Sequence, residues 1–250
     1  MKITKKNLLR FSKQIILKKI GISGQKKIFS SKVLVVGAGG LGCPLILYLA
    51  NSGVGNIGII DDDKIEITNL NRQILFTPKD LGKYKVSQAK KFVNIINADI
   101  KVKIYKKRLD KTNIIKIFNE YDIICDGTDN YITRYLINDH CLKSKKILIS
   151  AAISKFNGHI FNFNFKKKVP CFRCFMPVLP DNEDACETEG VISTLAGIAG
   201  TLQANEVINT IINKNNNLES KMLIIDSFNS NIKKVTLTKN SNCINKCGKR

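Results

Sequence analysis

The chain has 250 residues, enough for one large domain that buries roughly three quarters of its unfolded surface without disulfide staples. Its formal charge is +21, but only six of the 41 cationic residues are arginine and no basic stripe is interleaved with aromatics, so the excess reads as Lys/Asn/Ile bias and not as a nucleic-acid surface. There is no apolar run long enough for a membrane span and no secretory h-region; eight cysteines therefore point to a reducing, cytoplasmic setting in which metal binding or catalysis is favoured over disulfides.

Along the chain, Leu8, Leu9, Phe11, Ile15, Ile16 and Ile20 recur at near-helical spacing and predict an amphipathic N-terminal helix, followed by a short basic helix around Gln25 to Phe29. Lys32 to Val36 is an apolar β-branched run, and Leu41 to Ala50 reads as an apolar helix. Gly37, Gly39, Gly40 and Gly42 thus sit at a strand-to-helix turn, where glycines let the backbone approach an anion and the helix N-terminus stabilises its charge. Asn56 to Ile60 gives a second strand, ending at Asp61, which is positioned to accept hydrogen bonds from ribose hydroxyls.

Helices are expected over Ser87–Asn97, Thr112–Asn119 and Asn130–Leu142, alternating with strands over Lys101–Tyr105, Asp122–Asp126 and Lys146–Ser150. This alternation is the pattern of a doubly wound, Rossmann-like parallel α/β sheet. After Ile153 the period changes. Gly158 to Phe165 alternates like a half-exposed antiparallel strand, Ile192 to Ile212 reads as one long helix, and Met222–Ser227 with Lys233–Thr238 looks like a hairpin, so antiparallel strands should continue the sheet. The expected organisation is a single unit over 1–250, with N-terminal helices in 1–31, a nucleotide-binding half in 32–152 and a second half in 153–250.

The glycine loop with Asp61 leaves an NAD-dependent oxidoreductase open. Asn69, Arg72 and Lys85 argue for different chemistry, because they put an amide and two cations beside the expected phosphates, where a nicotinamide ring would need an apolar pocket. Asp129 follows a strand at the carboxyl end of the sheet, where ligands sit in open α/β folds; the alternative is a cap for the helix that follows, a role compatible with ligand binding. Cys171 and Cys174 form one close pair, and Cys243 and Cys247 another 69 residues on. From spacing alone, a structural zinc and four reduced thiols explain them equally well. Cys43, Cys125 and Cys141 read as core residues. Cys186 lies among Asp181, Glu183, Asp184, Glu187 and Glu189, carboxylates that tend to raise a thiol pKa. His140 and His159 match no catalytic pattern, and Asp126 reads as structural.

Arg10 to Leu17, Val36 to Gly42, Asp61 to Gln73, Gly82 to Val86, Asp126 to Asn130 with Arg134, and Cys186 to Val207 occur in an order and at intervals that closely resemble the ThiF/MoeB/HesA family, relatives of the ubiquitin-activating enzymes. The resemblance covers nearly the whole chain. It begins at Arg10, leaving too few residues before it for a cleaved presequence. It implies an adenylyltransferase that activates the C-terminal glycine of a ubiquitin-like sulfur carrier with ATP, releasing pyrophosphate. On that pattern Gly37, Gly39, Gly40, Gly42, Asp61, Thr68, Asn69, Leu70, Asn71, Arg72, Lys85, Asp129 and Asn130 surround the nucleotide. Arg72 and Lys85 stabilise the transition state, and Asp129 holds Mg2+.

Lys13 stands where family members commonly carry an arginine reaching from the partner protomer, which implies a homodimer with a contact lacking the bidentate fork. The family pattern makes Cys171, Cys174, Cys243 and Cys247 a zinc clip in the carrier-binding half, although the second pair has a three-residue spacer where the family typically has two. Cys186 matches a cysteine that in the thiamine branch becomes covalently linked to the carrier; an accessible loop cysteine with no part in adenylation is the alternative. Thiamine and molybdopterin pathways both remain open. The length leaves no room for a sulfurtransferase domain, so a separate sulfur donor is expected. A non-catalytic scaffold for a ubiquitin-like protein is the remaining alternative, and the retention of Arg72, Lys85 and Asp129 speaks against it.

Overall fold

A computed structural model describes residues 4–179, 190–212 and 218–247. Its strands form one sheet of eight in the order β3-β2-β1-β4-β5-β6-β7-β8. β1 (Lys32–Val36), β2 (Asn56–Ile60), β3 (Lys101–Tyr105), β4 (Ile123–Asp126) and β5 (Ile147–Ser154) are parallel. β6 (Asn157–Asn164), β7 (Lys221–Asp226) and β8 (Asn231–Thr236) continue the sheet antiparallel, as the change of period after Ile153 predicts.

Both faces of the parallel part are covered, which is why β1 is apolar without alternation. Val33 and Val35 join a core with Leu45 and Leu49 of α4 (Gly42–Ser52), Val93 of α5 (Lys85–Ile96) and Val207 of α9 (Ser193–Ile212). Leu34 and Val36 face the other way. They pack with Ile117 of α6 (Ile114–Phe118), Ile137 of α7 (Tyr131–Lys143) and Phe161 and Phe163 of β6. Cys43, Cys125 and Cys141 are buried in these cores, as expected. His140 and His159 are also structural, packing edge-on against Phe118 and beside Phe161 and Phe175.

Two expectations need correction. The stretch expected as one amphipathic helix holds two short ones, α1 (Lys5–Arg10) and α2 (Ser12–Ile15), while the basic helix expected around Gln25 to Phe29 is present as α3 (Gly21–Ser30). The chain bends at Phe11, whose ring is buried and packs edge-on against Phe29 with centroids 5.1 Å apart, while Leu9 and Ile16 are 70% exposed. One large aromatic, seated over Gly53 where an added Cβ would meet it at 2.8 Å, fixes the path more firmly than the apolar stripe does. β6, expected to be half-exposed, is buried on both faces. Phe161 lies against Phe172 and Phe175 of α8 (Phe172–Phe175), Phe163 stacks on Phe161 in the same core as Ile137 of α7, and Asn162 on the opposite face donates 2.7 Å to the buried Glu206 of α9.

α9 seats closely on α4. A Cβ at Gly200 would lie 2.5 Å from both the Leu41 carbonyl oxygen and the Pro44 ring. Gly200→Ala should therefore force the two helices apart and cost about 1–3 kcal/mol, the scale of overpacking. Urea unfolding should show this as a lower midpoint at unchanged m-value, and a midpoint equal to wild type would mean the helices adjust freely.

Candidate nucleotide site and cysteine cluster

β1, β2 and β4 end on one edge of the sheet, with β1 between the other two. The chain leaves β1 towards β2 on one side and reaches β4 on the other, a topological switch point of the kind that forms a ligand crevice. Three loops converge there: Gly37–Leu41 after β1, Asp61–Asp63 after β2 and Gly127–Asn130 after β4. Gly37 has φ +90°, and a Cβ on Gly42 would overlap the Gly37 carbonyl oxygen, so the turn admits no side chain at either position. Space around Gly39 is open, with only the Gln73 amide 3.8 Å from where a Cβ would be.

Asp61 is fixed from two sides. Its carboxylate accepts 2.7 Å from the Ala38 N–H of the glycine loop and 2.8 Å from the Asp63 N–H. Burial pushes its carboxyl above the ordinary range, against the lowering effect of Lys85 and of those two N–H donors. Lys85, the first residue of α5, is 6% exposed, and its ammonium donates 2.7 Å to the Asp63 carboxylate. A short ladder holds the pair together, with the Lys85 N–H on the Asp63 carbonyl, the Ile65 N–H on that of Lys83 and the Gly82 N–H on that of Ile65. Asp63 is legible in the sequence only through its two-residue offset from Asp61, because its partner Lys85 lies 22 positions away.

Arg72 lies across the glycine loop, its Cγ and Cδ each 3.4 Å from the position of a Gly40 Cβ. Its guanidinium donates to the Thr68 carbonyl at 2.9 Å and the Asn71 side-chain oxygen at 3.1 Å, so these two residues aim the arginine. Leu70 packs against the main core beneath the turn. Asn69 has a structural duty, since its side-chain oxygen accepts from the Glu66 N–H to cap the 3₁₀ turn Ile67–Asn69. What it can still offer a ligand is its Nδ2 group.

After β4, the helix cap is Asn130, not Asp129: the Asn130 oxygen accepts 2.9 Å from the Thr133 N–H and opens α7. The capping alternative for Asp129 falls away, and its carboxylate is exposed at the mouth of the crevice. Asp126 is fully buried and holds the loop from below. It accepts from the Thr128 N–H at 3.0 Å, the Thr128 hydroxyl at 2.6 Å and the Ser150 hydroxyl at 2.7 Å. Arg134 of α7 lies 3.5 Å from the Asp126 carboxylate and donates to the Thr128 carbonyl at 2.6 Å. Gln203 of α9 adds donations to the carbonyls of Asp126 and Ile149, both at 2.9 Å. An exposed carboxylate on so firmly held a loop suits a hard cation such as magnesium, which is bound by oxygen ligands and phosphates.

The two cysteine pairs meet. Cys171 and Cys243 Sγ are 3.6 Å apart, Cys174 and Cys247 3.2 Å, Cys243 and Cys247 3.8 Å, and all four sulfurs lie within 4.8 Å of one another. None of these separations is a disulfide, and tetrahedral zinc with Zn–S bonds near 2.3 Å sets its sulfurs about 3.8 Å apart, so the donor set fits that ion. Lys13 is exposed on α2. Cys186 lies outside the described residues.

A profile described as the ThiF family matches residues 11–245. The chain belongs to the ThiF family. With that membership the nicotinamide alternative is set aside. A Culex quinquefasciatus protein named adenylyltransferase and sulfurtransferase MOCS3 is 41% identical over 246 residues, 97% of this chain and 56% of that one. A Porphyra purpurea protein named probable molybdopterin-synthase adenylyltransferase is 47% identical over 81% of this chain and 54% of its own length. A Thermus thermophilus sulfur carrier protein adenylyltransferase is 34% identical over 97% of this ThiF-family chain and 92% of its own. The chain thus spans little more than half of most of these relatives. Among solved structures, Escherichia coli MccB with AMPCPP and MccA superposes with a TM-score of 0.84 at 25% identity, covering 98% of this chain and 75% of that one. No helix among the described residues is long and apolar enough to cross a membrane.

Proposed function

We propose that this ThiF-family protein activates a ubiquitin-like sulfur carrier by joining the carrier's C-terminal glycine carboxylate to AMP. The observation that carries the reading is the pairing of a glycine loop open to phosphate with two cations: Lys85, buried and steered by Asp63, and Arg72, lying across Gly40. The carboxylate and the α-phosphate of ATP are both anions, so their approach has to be offset by fixed positive charge, and charge held in place costs no reorganisation as the transition state forms.

In this reading Asp61 accepts from the ribose hydroxyls, and the N–H groups of the 37–42 loop cradle phosphate. Arg72 offers a planar fork to non-bridging oxygens, and Lys85 a compact charge to the same centre. Asp129 would hold magnesium, which would supply positive charge to offset that of the phosphates. The carrier carboxylate attacks the α-phosphorus in line, the bond to the bridging oxygen breaks, and pyrophosphate leaves with that oxygen's electron pair. The acyl adenylate then awaits sulfur from a separate donor. Zinc held by the four cysteines would supply a cross-link between the middle of the chain and its C-terminal segment.

The name of the Porphyra relative favours a molybdopterin-type carrier over a thiamine-type one. A homodimer in which Lys13 reaches the neighbouring protomer's ATP belongs to the same proposal, as do a cytoplasmic setting and the single-unit reading of the chain. Cys186 is then either the cysteine that links to the carrier or an accessible loop residue.

The test is ATP–pyrophosphate exchange with purified carriers ending in Gly-Gly, run beside Arg72→Ala and Asp129→Ala. Exchange that depends on the carrier and is lost in both variants is the expected result. No exchange with any carrier, or full exchange in both variants, would sink the mechanism.

A further inference from the structure

The second cysteine pair carries one residue more in its spacer than the first, and the structure gives that spacer a partner. Asn245, inside Cys243-Ile-Asn-Lys-Cys247, donates its amide 2.6 Å to Oδ1 of Asp139 on α7, and the same nitrogen lies 3.8 Å from Cys171 Sγ. Both neighbours are acceptors, so the amide nitrogen must point this way. Arg173, inside the first spacer, makes a two-pronged contact with the same carboxylate, from Nε at 2.9 Å and Nη2 at 2.7 Å. One carboxylate on α7 therefore receives a donor from each of the two cysteine turns. Lys246 beside it takes φ +46°, a left-handed turn that absorbs the additional residue and returns Cys247 to the cluster.

We propose that Asp139 and Asn245 are positioning residues for the metal clip: Asp139 is the common anchor that sets the two cysteine turns at ligating distance, and Asn245 makes the longer second turn competent by pinning it to that anchor and donating to the Cys171 sulfur. This rests on the zinc reading above. Four thiolates around a divalent ion leave a net charge of −2, and an N–H directed at one sulfur offsets part of it, as outer partners of metal ligands commonly do. The arrangement also ties the clip to the element whose first turn follows Asp129, because Asp139 and the Asn130 cap belong to the same helix.

The experiment measures the rate at which zinc leaves the purified, loaded protein to a chromogenic chelator, with zinc content by elemental analysis as a second readout. Asn245→Ala is expected to release zinc about 10–100-fold faster, the usual effect of losing an outer partner of a metal site. Asn245→Asp keeps the shape but sets a carboxylate against Asp139 and the thiolate, and should release it faster still. With Asp139→Asn in the background, Asn245→Ala should add little, since the two act through one contact. Deleting Asn245 leaves a two-residue spacer, which needs no pin, and should retain zinc better than Asn245→Ala does. Wild-type protein that purifies without zinc would overturn the metal reading and this inference with it. Loaded wild type with unchanged release from Asn245→Ala and Asn245→Asp would overturn the inference alone.

Discussion

Lys85→Ala is expected to slow carrier-dependent ATP–pyrophosphate exchange by about 10²–10³-fold, the effect of removing one preorganised donor from a site where charge develops. The fold should survive. The Lys85 side chain is 7% exposed but its partner Asp63 is 62% exposed, so that carboxylate is already hydrated, while Asp61, which loses the lowering effect of Lys85, keeps its two N–H donors. Lys85→Arg is expected to rescue poorly, because the guanidinium is larger and planar and α5 begins at this residue, leaving little room to retreat. Initial exchange rates, measured beside urea midpoints for the same preparations, separate the two effects. Exchange within an order of magnitude of wild type, with the fold intact, would show that Lys85 does not stabilise the transition state.

Arg134→Met should have the opposite profile, a large loss of stability from a residue that touches no substrate in the proposed reaction. Asp126 is fully buried, and Arg134, 4% exposed, is its charged partner; removing one member of a buried pair costs about 3–5 kcal/mol because the other remains in the interior. The hydrogen bonds from Thr128 and Ser150 persist, which argues for the lower part of that range. Exchange should fall as well, because the Thr128 carbonyl loses its guanidinium and the loop carrying Asp129 loosens. The double variant Arg134→Met/Asp126→Asn should recover part of the stability without restoring exchange. Urea unfolding of the four proteins closes the cycle, and a single-variant loss below about 1 kcal/mol would mean the pair is not the loop's main support.

Much of the nucleotide crevice was legible because its signals are local. An apolar strand, a glycine turn and an apolar helix follow one another within twenty residues, and the turn at Gly37 and Gly42 has one workable chemistry. The sheet was legible for a related reason: strands covered on both faces read as apolar runs, and the change of period after Ile153 marks where antiparallel pairing begins. What escaped depended on partners distant in sequence. Asn162 looked like a solvent-facing position within β6, but its amide meets Glu206, 44 residues on, inside the protein. The apolar residues of the N-terminus looked like one buried stripe, and periodicity alone could not tell that Phe11 would be buried while Leu9 and Ile16 would not. The sequence offers Asp129 as the alternative cap of α7, and only the Thr133 hydrogen bond gives that role to Asn130.

α9 has a bearing on how the chain can be divided. It is encoded in the second half, yet Gln203 closes the carbonyls of Asp126 at the end of β4 and of Ile149 within β5, Ala204 and Val207 complete the core beneath β1, and Gly200 lies flush on the helix that follows the glycine loop. A cut near residue 152 would leave the nucleotide half with a bare apolar face and two unfilled acceptors. Recombination between relatives is therefore better made by exchanging α9 together with the strands it covers than by joining halves at the change of period.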